Sequence, residues 1–242
     1  MKKITSLFVF GFLIITLNAE AAPASNDVFF LVMGGRTSCG SAPAPVNQAL
    51  YTPFMTMLKT LKTEFREQKF HYIITCLNAS APPSGQTQYI TSEDPSNVQT
   101  GDSDEVLAEA DKALLTYGNA SVFVIGHSYG GWMAMYVGDK LGKGQLDGLF
   151  TVDPIGPKCG PSGVIFGSSA CHSAPDDLDN AAIKNHTKRW VNFYQDQDTW
   201  LNSSAIADAE NVHIQYRGPH TEIDKDPRTW SGINDAVKKS LK

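Results

Sequence analysis

The feature that most constrains this chain is a regular alternation of short apolar runs with longer segments of helical character. The apolar runs are residues 28–33, 70–76, 121–125, 146–152, 189–194 and 212–216. Helices are predicted over residues 45–68, 102–118, the stretch that ends near residue 141, and 226–241. Strands that alternate with helices predict an α/β fold with a mostly parallel central sheet and helices on both faces. Residues 78–100, rich in Pro, Ser, Gly, Gln and Asn, are predicted to form an irregular surface segment.

The N-terminus predicts export. Two lysines precede an almost continuously apolar stretch, residues 4–17, and small residues then follow at the A-x-A spacing that a signal peptidase reads. Residues 1–21 are therefore predicted to be a signal peptide. The alternative is an uncleaved membrane anchor, but this stretch is shorter than the ~20 residues that a spanning helix needs. We expect a secreted or periplasmic protein in which residues 22–242 form one α/β domain without a stable membrane span.

The charge balance argues against nucleic acid as a partner. The full chain has a formal charge of -5, and loss of the signal peptide removes two positive charges and one negative charge, which gives -6. The chain has no cluster of Lys and Arg side chains of the kind that binds phosphate backbones. No C-x-x-C spacing occurs, so the sequence predicts no metal site.

Four cysteines remain after the signal peptide, and an even number of cysteines in an exported chain usually forms disulfides. Cys39, Cys76, Cys159 and Cys171 allow three pairings. We favour Cys39–Cys76 together with Cys159–Cys171. The second pair lies within one loop-like stretch, and the first would join the ends of two strands that are predicted to be neighbours.

Residues 126–130, Gly-His-Ser-Tyr-Gly, fit the pattern G-x-S-x-G between an apolar β run and a helix-compatible run. A serine hydroxyl is a weak nucleophile, and a sharp strand-to-helix turn exposes it to both a base and a substrate. The turn is strained, so only small residues fit two positions before and after the serine, and Gly126 and Gly130 occupy these positions. The pattern predicts Ser128 as a nucleophile.

The stretch VFVIGHSYGG, followed by a helix, resembles the nucleophile elbow of the α/β-hydrolases. The order of the other predicted strands is compatible with that fold over nearly all of residues 27–242. The resemblance implies a serine hydrolase that forms an acyl-enzyme and requires no metal ion or cofactor.

In that family the order along the chain is serine, acid, histidine, and the histidine follows the last strand. His220 has this position, between the final predicted strand and the closing helix, and is therefore the predicted base. His71 and His213 lie inside predicted strands, and His172 and His186 lie in polar stretches that we expect to be solvent-exposed. His127 is expected to be a packed neighbour that the turn aims away from the serine hydroxyl.

The position of the acid is open between two strands. Asp153 ends the strand after the nucleophile helix and resembles the acid of those lipases and thioesterases that carry it there. The commoner family position follows the next strand, where Asp196 and Asp198 lie. An Asp-Pro pair at a strand end is also a good turn in itself. We favour Asp153, which would hold the tautomer of His220 and stabilise its imidazolium.

The resemblance also implies two backbone donors that stabilise the oxyanion. One is the N–H of Tyr129, at the start of the nucleophile helix. The other lies in the loop after the first strand, where Gly35 or Arg36 would supply it, although a simple glycine turn would also explain this sequence.

Together these residues predict a carboxylic ester hydrolase, of the esterase or lipase kind, that acts on small-molecule or lipid esters outside the cytoplasm. The same residues would also serve a thioesterase or an amidase. The signal peptide counts against carrier-bound thioesters, which are mostly cytoplasmic. A third hypothesis is a hydrolase-fold binding protein without turnover, and the complete Ser-Asp-His set speaks against it.

Overall fold

A computed structural model of the chain describes residues 26–36, 48–77, 87–93, 99–101, 108, 116, 119–140, 146–159, 171–198 and 200–242. The predicted signal peptide, Cys39 and most of the predicted helix over residues 102–118 lie outside the described residues. Export therefore stays a prediction.

Eight strands form one sheet in the described part of the chain. Their bounds are β1 Asp27–Arg36, β2 Lys69–Leu77, β3 Thr87–Thr91, β4 Gln99–Gly101, β5 Ser121–His127, β6 Gly148–Val152, β7 Trp190–Tyr194 and β8 Glu210–His213. The order across the sheet is β4-β3-β2-β1-β5-β6-β7-β8. From β2 to β8 all neighbours are parallel, whereas β3 and β4 add an antiparallel edge. The predicted, mostly parallel sheet is confirmed.

Helices cover both faces of this sheet, as predicted. Their bounds are α1 Gln48–Glu64, α2 Tyr129–Lys140, α3 Asn180–His186 and α4 Pro227–Leu241, and a 3-10 helix, His220–Lys225, precedes α4. Alternate residues of β1 enter two apolar cores. Val28, Phe30 and Val32 pack with side chains of α1 and α4, and the residues between them pack with side chains of α2 and α3. A strand buried on both faces needs apolar side chains throughout, which explains the continuous apolar run.

The carboxyl ends of the parallel strands bring the candidate residues to one edge of the sheet. Ser128 directly follows β5, and Asp153 directly follows β6. The segment after β8 leads to His220, the first residue of the 3-10 helix. Because ligands of open α/β sheets bind outside the carboxyl ends of the strands, this edge is where a site is expected.

Two parts of the sheet differ from the sequence prediction. Residues 78–100 contain β3 and the start of β4, so their prediction as an irregular segment was wrong. β3 and β4 are short antiparallel strands within a stretch rich in polar residues and turn formers, and such strands need fewer apolar residues than buried parallel strands, so they gave no clear strand signal. The last strand is β8 rather than residues 212–216, because this largely exposed edge strand is defined by its pairing with β7. The strands β1, β2, β5, β6 and β7 and the helices α1, α2 and α4 differ from their predicted bounds by at most four residues, whereas no bounds had been predicted for α3 and the 3-10 helix.

Cys159 and Cys171 form a disulfide, the second of the two predicted pairs. Both cysteines lie in the segment between β6 and β7, and the disulfide packs with Ile155 of that segment and against Leu201 of the segment after β7. Cys39 lies outside the described residues, and the Cys39–Cys76 pair therefore stays a prediction.

The double substitution Cys159→Ser/Cys171→Ser is expected to lower the free energy of unfolding by about 3 kcal/mol, because the crosslink closes a loop and restricts the unfolded chain. The two cysteines are 12 residues apart in the sequence. Denaturant titration of the oxidised wild type and of the variant measures this difference. The variant leaves the other two cysteines intact, which treatment with a reductant would not. Equal free energies of unfolding would contradict a stabilising role.

Candidate active site

Ser128 lies at the tip of a sharp turn between β5 and α2. Its φ angle is 58°, in the left-handed region that few residues other than glycine adopt. Main-chain bonds hold this conformation. The N–H of Ser128 donates to the carbonyl of Val152 (2.9 Å), and the N–H of Ile155 donates to the carbonyl of Ser128 (3.0 Å). Both bonds tie the turn to the end of β6, and they offset the backbone strain.

The two glycines of the motif lie too close to neighbouring backbone to accept a side chain. A Cβ atom on Gly126 would lie 2.1 Å from the carbonyl oxygen of Gly130. A Cβ atom on Gly130 would lie 2.2 Å from the carbonyl oxygen of Met33, near the end of β1. The small residues of the motif therefore allow α2 to start directly against β1 and β5.

Gly130→Ala is expected to lower the free energy of unfolding by about 1–3 kcal/mol, because the end of β1 must shift to admit the methyl group. Gly156→Ala is a matched control, since its Cβ would lie 3.6 Å from the nearest atom, an ordinary contact. Denaturant titration of both variants measures the difference. A Gly130→Ala protein as stable as the Gly156→Ala protein would show that the close approach is not required.

His220 contacts both the serine and a carboxylate. Its Nε2 lies 2.8 Å from Oγ of Ser128, and its Nδ1 lies 2.6 Å from Oδ2 of Asp153. His220 is 2% exposed and Asp153 is fully buried. When Asp153 is ionised, Nδ1 carries the imidazole proton and Nε2 presents a lone pair to the hydroxyl. The three side chains form a continuous hydrogen-bonded chain along which a serine proton can be accepted.

The carboxylate of Asp153 is held by two further donors. Its Oδ1 accepts the backbone N–H of Ser203 (2.7 Å), and its Oδ2 accepts the side-chain amide of Gln195 (3.1 Å). The backbone N–H of Asp153 donates to the carbonyl of Phe193 in β7 (2.7 Å). These bonds fix the orientation of the carboxylate toward His220.

The two alternative acids contact other groups. Oδ2 of Asp198 accepts the backbone N–H of His220 (2.6 Å), so this carboxylate holds the main chain rather than the ring. Asp196 is exposed, and its Oδ1 lies 3.0 Å from Nε2 of His213. Hydrogen bonds from Gln197 and His213 lower the pKa of Asp196. Of the three carboxylates that the sequence left open, Asp153 is the one that contacts the ring of His220.

Other histidines make contacts away from the serine hydroxyl. Nε2 of His71 lies 3.0 Å from Oδ1 of Asp27, at the start of β1. His172 and His186 are half-buried, which corrects the expectation that both are solvent-exposed. His186 is partly covered because its Nδ1 packs 3.1 Å from the carbonyl oxygen of Gly138 in α2.

His127 packs behind His220 and does not approach Ser128 with its ring nitrogens. Its Nε2 lies 3.1 Å from the carbonyl oxygen of His220, and its Nδ1 lies 3.3 Å from Oδ2 of Asp224. Burial lowers the pKa of the His127 imidazole, whereas the Asp224 carboxylate acts in the opposite direction. The sequence analysis did not identify Asp224. The one indication in the sequence is that Asp224 lies only four residues after His220.

The end of β1 lies against the serine. A Cβ atom on Gly35 would lie 2.6 Å from Cβ and 3.1 Å from Oγ of Ser128. The register of β1 against β2 shifts between Met33 and Arg36, so the chain leaves the regular ladder where it passes the serine. Tyr129 begins α2 immediately after Ser128. Gly35 and Tyr129 are therefore both neighbours of Ser128, Gly35 in space and Tyr129 along the chain.

Within the described residues, no group of three or more His, Cys, Asp or Glu side chains is placed to hold a metal ion. The buried histidines of this edge form pairs instead, His220 with Asp153 and His127 with Asp224. In the same part of the chain, no helix is both long enough and apolar enough to cross a membrane.

Several solved structures are similar to this chain. The ydeN gene product of B. subtilis is similar with a TM-score of 0.51 and 12% identity, over 87% of this chain and 99% of that chain. An esterase from Pyrococcus furiosus has a TM-score of 0.49 and 12% identity, over 90% of this chain and 84% of that one. Est1E from Butyrivibrio proteoclasticus has a TM-score of 0.46 and 12% identity, over 90% of each chain.

No protein-family model matches the chain, and no curated protein has a significantly similar sequence. At 12% identity, the similarity to the ydeN product concerns the fold alone. The same fold follows from the parallel strand order and from the strand-turn-helix arrangement at Ser128. The chain therefore has the α/β-hydrolase fold.

Proposed function

We propose that the protein is a secreted serine hydrolase that cleaves carboxylic esters of small molecules or lipids through an acyl-enzyme. The observation that carries the proposal is the contact chain from Oγ of Ser128 through the ring of His220 to Oδ2 of Asp153, with distances of 2.8 and 2.6 Å. A nucleophile, a base and a group that orients the base are the parts that serine-dependent acyl transfer requires.

In the first half of the reaction, Oγ of Ser128 attacks the ester carbonyl while Nε2 of His220 takes the hydroxyl proton. Asp153 holds Nδ1–H and stabilises the imidazolium that forms. The imidazolium then gives its proton to the alcohol oxygen as the ester C–O bond breaks. The acyl group remains on Ser128 as an ester.

In the second half, a water molecule attacks the acyl-enzyme and Nε2 of His220 again accepts the proton. The tetrahedral intermediate collapses, the carboxylic acid leaves, and the proton returns to Oγ of Ser128. The cycle balances with one water consumed for each ester cleaved, and it needs no electron carrier.

When Ser128 attacks, the carbonyl oxygen of the substrate becomes negatively charged. This charge is stabilised by hydrogen-bond donors that already point at the oxygen before the reaction begins. We assign this role to the backbone N–H of Tyr129 and to that of Gly35 or Arg36. The position of Tyr129 in the first turn of α2, where backbone N–H groups point out of the helix, supports the first assignment. The close approach of Gly35 to Ser128 supports the second.

The proposal is tested with purified mature protein and p-nitrophenyl esters of graded acyl length. We expect hydrolysis by the wild type and stoichiometric labelling by a fluorophosphonate probe, located at Ser128 by peptide mass. A folded wild type that neither cleaves any ester nor reacts with the probe would contradict the proposal and favour a binding protein.

Acyl-CoA and aryl amide substrates in the same assay distinguish the two other acyl-transfer functions. A clear preference for acyl-CoA would make a thioester the proposed substrate, and a clear preference for the aryl amide would make it an amide. In both cases Ser128 would remain the nucleophile. Fractionation of the producing cells tests export, which rests on the sequence of residues 1–21. Retention of the uncleaved protein in the cytoplasm would contradict that part of the proposal.

A further inference from the structure

All four polar positions of His220 are in contact with other side chains. Ring atoms Nε2 and Nδ1 contact Ser128 and Asp153, the backbone N–H donates to Asp198, and the backbone carbonyl faces His127. The first two contacts belong to the proposed reaction, whereas the other two hold the main chain. His127 in turn contacts a second buried carboxylate, that of Asp224.

His127 and Asp224 form a buried pair directly behind the proposed base. The two residues are 5% and 1% exposed. The imidazole ring of His127 lies with its centre 5.1 Å from that of His220. One ring nitrogen of His127 faces the carbonyl of His220, and the other faces Asp224. His127 therefore contacts the first and the fifth residue of the 3-10 helix and fastens that helix to the end of β5.

The contacts of His127 define the role of each ring nitrogen. The carbonyl of His220 can only accept a hydrogen bond, so Nε2 of His127 must carry a proton in order to bond with it. The other ring nitrogen, Nδ1, lies 3.3 Å from Oδ2 of Asp224. The carboxyl group of Asp224 therefore faces the nitrogen that does not contact the main chain of His220.

We infer that His127 and Asp224 are positioning residues for the proposed base, because they fix the main chain of His220 so that its Nε2 stays within reach of Ser128. This inference rests on the proposed function. His127 directly precedes Ser128 in the chain, so the pair joins the backbone that carries the nucleophile to the backbone that carries the base. In this arrangement Asp224 faces Nδ1 and holds the ring of His127 in the orientation that directs Nε2 at the carbonyl.

The test compares two changes of the pair. The double variant His127→Phe/Asp224→Leu fills the same space with apolar groups and leaves no unpaired charge, although the carbonyl of His220 loses its donor, so it is expected to remain folded. We expect its kcat for a p-nitrophenyl ester to fall by about 10- to 100-fold, the scale of a small misplacement, with little change in KM. In the variant Asp224→Asn, the amide donates to Nδ1 and the Nε2–H of His127 still donates to His220, so kcat should stay close to that of the wild type.

His186→Phe is the matched control, because His186 also contacts a backbone carbonyl at 3.1 Å. That carbonyl belongs to Gly138, near the C-terminal end of α2, whereas His127 precedes the N-terminal end of α2. A folded double variant with the kcat of the wild type would overturn the inference, and so would an Asp224→Asn protein as slow as the double variant. If the double variant does not fold, the imidazole 1H–15N NMR spectrum of the wild type provides the test, because it shows whether Nε2 of His127 carries a proton. An unprotonated Nε2 could not donate to the carbonyl of His220 and would overturn the inference. A wild type without ester hydrolysis would instead overturn the proposed function.

Discussion

Ser128→Ala is expected to lower kcat for ester hydrolysis by about a million-fold, the scale seen when the nucleophile of a serine triad is removed. Alanine lacks the oxygen that attacks the carbonyl and carries the acyl group. The substitution changes neither the backbone conformation that the turn requires nor the bonds to Val152 and Ile155, so the protein should remain folded. Steady-state kinetics with a p-nitrophenyl ester and thermal unfolding of the same samples measure both effects.

Ser240→Ala is the matched control for this substitution. Ser240 lies near the C-terminal end of α4, where its hydroxyl donates to the carbonyl of Ala236 (3.2 Å). It is not one of the described residues that contact Ser128, His220 or Asp153. We expect wild-type kcat and normal fluorophosphonate labelling for this variant, and no labelling for Ser128→Ala. A Ser128→Ala protein that retained more than a tenth of the wild-type rate would exclude Ser128 as the nucleophile.

Asp153→Asn is expected to lower kcat by about 10,000-fold with little change in the fold. The asparagine amide can donate to Nδ1 of His220, and this contact would favour the tautomer that carries its proton on Nε2. A protonated Nε2 cannot accept the proton of Ser128, so the nucleophile would lose its base. The measurement is kcat for the same ester, with circular dichroism as a check of folding.

Two neighbouring carboxylates provide controls that also decide which acid is used. Asp196→Asn should have wild-type activity, because Asp196 is exposed and contacts His213. Asp198→Asn keeps a carbonyl oxygen that can accept the backbone N–H of His220, so it should lose far less activity than Asp153→Asn. If Asp198→Asn were the slower of the two, the acid would be Asp198 and the proposed assignment would be wrong.

Local sequence was sufficient to predict the fold and the turn at Ser128. The buried strands are continuous apolar runs because β1 and its parallel neighbours are covered on both faces, and this signal needs no knowledge of distant residues. The glycine spacing around Ser128 reflects contacts of Gly126 and Gly130 with the backbone nearby. The short antiparallel strands β3 and β4 left no comparable signal, and they were missed.

Sequence could not decide what depends on contacts between distant segments. Asp153 and Asp198 both follow strands at the same edge of the sheet, and their distance from the ring of His220 depends on how three separate loops pack. The pair of His127 and Asp224 joins residues on β5 and on the 3-10 helix, so no local pattern indicates it. The identity of a base can be predicted from order along the chain, whereas the groups that hold the base in place cannot.

The two main-chain bonds between the serine turn and the end of β6 have a consequence for how the protein loses activity on heating. Because of these bonds, we expect the backbone around Ser128 and the backbone around Asp153 to move together. The imidazole of His220 belongs to a separate segment, which side chains hold in place. Thermal motion should therefore widen the gap between hydroxyl and imidazole first, and reversible inactivation should begin below the temperature at which the sheet melts.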